Sequence, residues 1–240
     1  MSLKKRLFFY IMLGLFLTSC TSNGSRKTTT KTLTEENVDV AVAYIPNQEA
    51  AKWHNKAISE AVDNPTRKTR AAVLRYLDKA ITIDPHFEKA YYTKMQFLLE
   101  LDRNQEALST VDSCIKYNSN NGAHYLTKAM IMRLMGENGR DVFQKSIEMT
   151  MQELAQPHDS INDCRLIYNI AVAKTFLGEK DALDQLNVEK DKFKVHYQKY
   201  NNQAEWEHLF SLLKNFDEKE CIKNILNISY LPSDSIKIVK

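Results

Sequence analysis

A fixed internal spacing constrains this chain more than anything else in it. Val73, Leu77 and Ala80 recur as Ala107, Val111 and Cys114, and Tyr91 and Met95 recur as Tyr125 and Ala129, each 34 residues later. Self-similarity at such a period marks stacked supersecondary units, each too small to bury its own apolar face. The stretch Leu74–Asn118 holds the second helix of one hairpin, an Asp84-Pro85 break and a complete second hairpin. With only six glycines and five prolines in 240 residues, the chain lacks the turn residues of an all-β fold. The expected class is all-α, with short connections between helices.

The helices follow from apolar spacing. Asn47–Val62 places Ala50, Trp53, Ala57 and Ala61 on one face, and Asn64-Pro65 breaks it. Arg70–Ile83 turns Val73, Leu77 and Ala80 inward and stops at Asp84, because a residue before proline is driven out of the α region. Pro85 is expected to open the next helix, His86–Leu101, with Tyr91, Met95 and Leu98 inward. Asn104–Tyr117, Gly122–Met135 and Gly139–Leu154 follow, and a fourth unit resumes at Ile161 and runs through Ala182 and Leu186. Glu189–Asn202 reads as a long or bent helix, and Gln203–Phe216 with Glu218–Ile228 as a last hairpin. Asn37–Pro46 alternates; it fits a short strand, an extended segment or a filler of the groove between helices.

Tyr91, Met95, Leu98, Ala107, Val111 and Cys114 occupy the places that the tetratricopeptide repeat family fills with large and small side chains, with Ser119 where that family has proline. Trp53, Ala57, Val73, Leu77, Ala80 and Pro85 do the same one unit earlier. The chain therefore resembles that family across Asn47–Leu186. The resemblance implies an α-solenoid of stacked antiparallel hairpins, a right-handed superhelix whose first helices line a concave wall. By that alignment the wall carries Lys89, Tyr92, Gln96 and Leu99, then Leu126, Met130 and Arg133, then Arg165, Tyr168, Val172 and Phe176. Such a mixture suits an extended peptide or an amphipathic helix with an acidic group, with Tyr and Arg as anchors. Replacing Tyr92 and Tyr168 by alanine is expected to weaken partner capture without unfolding. The chain's own N-terminal segment or C-terminal hairpin is the competing occupant. A clamp for a C-terminal carboxylate is not implied, since Tyr92, Gln96, Ala123 and Thr127 stand in its places.

The first twenty residues give an address. Lys4-Lys5-Arg6 precedes the apolar run Leu7–Leu17, which is too short to cross a bilayer and has the form of a secretory signal. It ends in Leu17-Thr18-Ser19-Cys20, which resembles the lipobox of bacterial lipoproteins. That resemblance implies cleavage before Cys20 and lipidation of its thiol, a membrane anchor in the cell envelope; Thr21, in place of aspartate, points to the outer rather than the inner membrane. The organisation read from the sequence is a signal at 1–19, a tether at 20–46, repeats at 47–187, and a degenerate repeat or cap with a tail at 188–240.

The formal net charge of +3 equals the three basic residues of the leader, so the remainder is near neutral, with no basic block suited to nucleic acid. None of the six histidines stands in a metal-binding motif, and no CxxC, P-loop or GxSxG is present. The expectation is a non-enzyme without cofactor, metal or small-molecule substrate, binding an unidentified protein or peptide. Glu205, Glu207 and His208 beside Trp206 read as a solvated helix face in preference to an acid–base pair, because nothing supplies a nucleophile or a pocket. Cys114, Cys164 and Cys221 are an odd set, with pairing left open and Cys114 expected as a packed thiol. The alternative function is an assembly factor or accessory subunit of an outer-membrane complex or an envelope enzyme.

Overall fold

The computed structural model describes residues 44–156, 160–189 and 203–228. Among them are ten helices and no strand. They are α1 (Gln48–Asp63), α2 (Arg67–Ile83), α3 (Glu88–Glu100), α4 (Asn104–Tyr117), α5 (Gly122–Leu134), α6 (Arg140–Leu154), α7 (Ser160–Leu177), α8 (Asp184–Val188), α9 (Gln203–Lys214) and α10 (Glu218–Ile225). The all-α class is as the composition led one to expect. Cys20 and the alternating stretch as far as Ala43, the region 190–202 and the tail beyond Ile228 lie outside the described residues.

Two helix starts differ by more than one residue from the sequence reading, for local reasons. α2 starts at Arg67, three residues before Arg70, because the Thr66 hydroxyl accepts the backbone N–H of Thr69 at 3.2 Å. That satisfies one of the donors a helix start leaves open. α3 starts at Glu88, not beside Pro85. Asp84 is extended (φ −137°, ψ 90°), its carboxylate accepts His86 N–H at 3.2 Å and its carbonyl accepts Phe87 N–H at 3.1 Å. This aspartate-led turn uses up the residues that proline was expected to bring into the helix. The same carboxylate takes hydrogen bonds from Asn47 N–H and the Tyr44 hydroxyl, fixing the start of α1 against the end of α2.

Each helix from α1 to α7 packs on the next in the chain; α5 also meets α7 and α10, and α9 meets α7. Val73, Leu77, Ala80, Ala107, Val111 and Cys114 are all buried, as are Tyr91, Met95 and Ala129; only Tyr125 among the recurring positions is half-buried. The spacing thus marks side chains that meet between helices. Small residues set the closest approach. At Gly122 an added Cβ would lie 2.0 Å from Thr150 Oγ1, 2.7 Å from Thr150 N and 2.9 Å from Ser146 O, so α5 and α6 cross there with no room for a side chain. Gly139 is close but less so, with the Ala129 carbonyl 3.0 Å from where its Cβ would be.

One buried charge pair joins α2 to α3. Arg70 Nε donates to Glu100 Oε2 at 3.0 Å, and the Phe97 ring lies 4.5 Å from the guanidinium. Burial pushes the Glu100 carboxyl up to about 7, against the opposing pull of Arg70.

Candidate functional site

The residues of the expected wall fall on α3, α5 and α7. Buried polar contacts tie α1 to α3 and α3 to α5. His54 Nε2 on α1 meets Thr93 Oγ1 on α3 at 3.0 Å, with Phe87 against the imidazole. Burial, helped by the charge of Lys89, lowers the His54 pKa to about 4, so the ring is neutral where it lies. Tyr92 on α3 is hydrogen-bonded to His124 Nδ1 on α5 at 2.7 Å. The other ring nitrogen of His124 faces Glu88 Oε1 at 3.5 Å and Cys114 Sγ at 3.8 Å.

A thiol beside an imidazole suggests a nucleophile and its base. Here the pair has no access. Cys114 and His124 are buried, and the void they share with Tyr91, Tyr92, Met95 and Val111 measures about 10 Å³. That is room for one water at most. Burial also pushes the Tyr92 phenol above its ordinary range, so it stays un-ionised. The cluster binds α3, α4 and α5 together; it offers no surface to a substrate.

The expected wall residues divide sharply. Tyr92 and Leu99 on α3, Leu126 and Met130 on α5, and Arg165, Tyr168 and Val172 on α7 are buried. They are packing residues, and the expectation that Tyr92 and Tyr168 could be truncated without structural cost is corrected accordingly. Arg165 donates from Nη2 to Glu153 Oε1 on α6 at 2.9 Å. Arg133 and Phe176 are half-buried, and both contact the chain's own C-terminal hairpin. Arg133 makes a two-pronged pair with Glu218 of α10 (3.0 and 2.6 Å). Phe176 stacks on Phe143 at 4.9 Å and meets Phe216, between α9 and α10, edge-on at 5.0 Å. Leu209, Leu213, Cys221, Ile222 and Ile225 of that hairpin join the same apolar cluster as α5 and α7. Lys89 is exposed and Gln96 half-exposed. Among the described residues, the C-terminal hairpin packs against the α5–α7 end of the expected wall, and at the α3 end Lys89 is exposed and Gln96 half-exposed.

No protein-family model, curated protein or solved structure matches this chain significantly.

His208 Nε2 donates a hydrogen bond to Asn224 Oδ1 at 3.0 Å across α9 and α10, and Glu207 is exposed. The ring ties the hairpin together. Among the described residues no group of three or more His, Cys, Asp or Glu is placed to hold a metal, and no helix is long and apolar enough to cross a membrane. Cys114, Cys164 and Cys221 are buried thiols, and burial raises Cys221 to about 12.

One feature escaped the sequence reading. On α1 and α2 the rings of Trp53 and Tyr76 lie 5.6 Å apart. Lys56 Nζ stands 4.6 Å from the Tyr76 centroid and Lys79 Nζ 4.2 Å from that of Trp53. The signal was present as Trp53-x-x-Lys56 and Tyr76-x-x-Lys79, two aromatic–lysine pairs at helical spacing on consecutive helices.

Proposed function

We propose that this chain is a membrane-anchored scaffold of the bacterial envelope: a tetratricopeptide-like α-solenoid that presents the α3 end of its first-helix wall to a protein or peptide partner. The observation that carries the reading is the agreement of two independent features. Nine of the ten positions that recur at 34 residues are buried, and α1 is joined directly to α3 and α3 to α5, His54 to Thr93 and Tyr92 to His124. A repeat array built this way offers a preformed surface that needs little ordering on binding. Lys89 and Gln96 suit a segment carrying an acidic group beside hydrogen-bonding backbone. The lipobox-like Leu17-Thr18-Ser19-Cys20 supports an acylated Cys20 as the anchor, and Thr21 supports the outer membrane.

The reading is tested in two arms. Cys20→Ser should move the protein from the membrane to the soluble fraction; unchanged fractionation removes the anchor. Lys89→Glu with Gln96→Ala should reduce recovery of the partner that co-purifies from intact cells, with the helix signal and melting temperature retained. Equal recovery removes the wall as the binding site.

A further inference from the structure

We propose that the outer face of the α1–α2 hairpin, built on Trp53, Tyr76, Lys56, Lys79 and Ile83, docks the chain onto an anionic lipid surface. The proposal deepens the membrane-anchor reading and rests on it for placing such a surface near this end of the molecule.

Four observations carry it. The first is composition. Trp and Tyr with lysines around them are the side chains that favour the headgroup layer of a bilayer, one end apolar and the other wet. Trp53, Lys79, Thr82, Asp78 and Ile83 line a shallow depression of about 390 Å³, and Ile83 is 38 % exposed. Ile45, beside the Tyr44 that bonds to the end of α2, is 82 % exposed.

Charge asymmetry is the second. Leaving out the buried pair Arg70–Glu100, residues 48–83 carry six basic and four acidic side chains, whereas residues 88–154 carry eight of each. The acids nearest the aromatic pair are already engaged: Glu49 accepts the Trp53 indole N–H at 3.1 Å, and Asp78 pairs with Lys94 of α3 at 2.7 Å.

The third is the path of the chain. Tyr44 lies 24 residues after Cys20, and its hydroxyl is bonded to Asp84 at the end of α2. The chain thus joins the described structure beside this face. A lipid on Cys20 would hold the face within at most about 80 Å of the bilayer, the fully extended reach of that length. Confinement of this kind makes a weak second contact effective.

The fourth is the lack of a complementary occupant within the chain. Residues 21–43 carry three basic and three acidic side chains, residues 190–202 four and one, and residues 229–240 two and one. None has an excess of acid to cover a basic face. An anionic headgroup layer supplies that excess over an area as broad as the hairpin.

The test uses the chain from Thr21 onward, which keeps every described residue and lacks the acyl anchor. Trp206→Phe in all samples leaves Trp53 as the single tryptophan. With vesicles of phosphatidylcholine containing phosphatidylglycerol, co-sedimentation and a blue shift of Trp53 emission are expected, both weakened by added salt. Lys56→Gln and Lys79→Gln should each weaken binding about fivefold, the contribution of one lysine near an anionic surface. Both leave the buried side of the hairpin untouched, so retained melting temperature shows that the loss is local. Equal binding to pure phosphatidylcholine, or no effect of either glutamine, overturns the proposal. So does saturable binding of a soluble poly-glutamate peptide with no binding to the vesicles, which assigns the face to an acidic polypeptide. Because the acyl chain is absent throughout, failure here is separate from failure of the Cys20→Ser fractionation.

Discussion

Gly122→Ala probes the closest crossing in the molecule. The new Cβ would stand 2.0 Å from Thr150 Oγ1 and 2.7 and 2.9 Å from backbone atoms of α6. The threonine cannot simply turn away, since it is buried on a helix and β-branched side chains there have few rotamers. The two backbone contacts need α6 to retreat by roughly half an ångström, in an interior where neighbouring layers are close-packed. Overpacking of this kind costs about 1–3 kcal/mol, and contact with backbone places it at the upper end. The small helix-propensity gain of alanine over glycine offsets little at the first position of α5. A loss of about 3 kcal/mol corresponds to a melting temperature lower by about 6–12 °C for a chain of this size. Thermal melts followed by circular dichroism read it directly. Thr150→Ala in the same chain should recover less than half of the loss, because the backbone contacts remain. A Gly122→Ala protein that melts within about a degree of the parent would refute the crossing.

Three further outcomes follow from the buried polar groups. His54 has a folded-state pKa near 4 against an ordinary 6.5, so the unfolded chain binds more protons between these values. Stability due to His54 is present above pH 6.5 and falls by about 3 kcal/mol as the pH drops to 4. Denaturant titrations of His54→Gln should lack that part of the acid slope, and an unchanged slope contradicts it. Glu100 runs the other way: with its carboxyl raised to about 7, its stability is complete below its ordinary 4.5 and is lost as the pH rises through 7. Arg70→Ala should therefore cost up to about 3–5 kcal/mol near pH 8 and less near pH 5, where the stranded carboxyl takes a proton; equal losses at both refute the pairing. Arg133→Ala should cost at most about 1 kcal/mol, because its pair with Glu218 is one-third exposed on both sides. A loss well above that would mean the C-terminal hairpin depends on this one contact.

Helix positions and the buried register were legible because both are written in local spacing. Ala57, Val73, Leu77, Ala107, Val111 and Cys114 fell where period and size placed them. The start of α2 rests on the single hydroxyl of Thr66, which apolar spacing does not register, and the Asp84 turn hid behind the proline next to it. The wall was harder. A first helix shows two flanks to its neighbours, and apolar spacing does not say which flank faces solvent. Leu126, Met130 and Val172 therefore read as lining and are interior. The fold-back of the last hairpin joins Arg133 to Glu218 across 85 residues, and no local rule reaches that far. The Arg70–Glu100 pair was hidden for the same reason, at a separation of 30.

A partner held by the proposed wall has to reach it at the α3 end. A photo-crosslinking side chain placed in intact cells at position 89, and separately at position 133, reads this in one experiment. Capture of a second protein from position 89, with position 133 giving only a crosslink to the chain's own 203–228 hairpin, is the predicted result. Capture from 133 with none from 89 would contradict it.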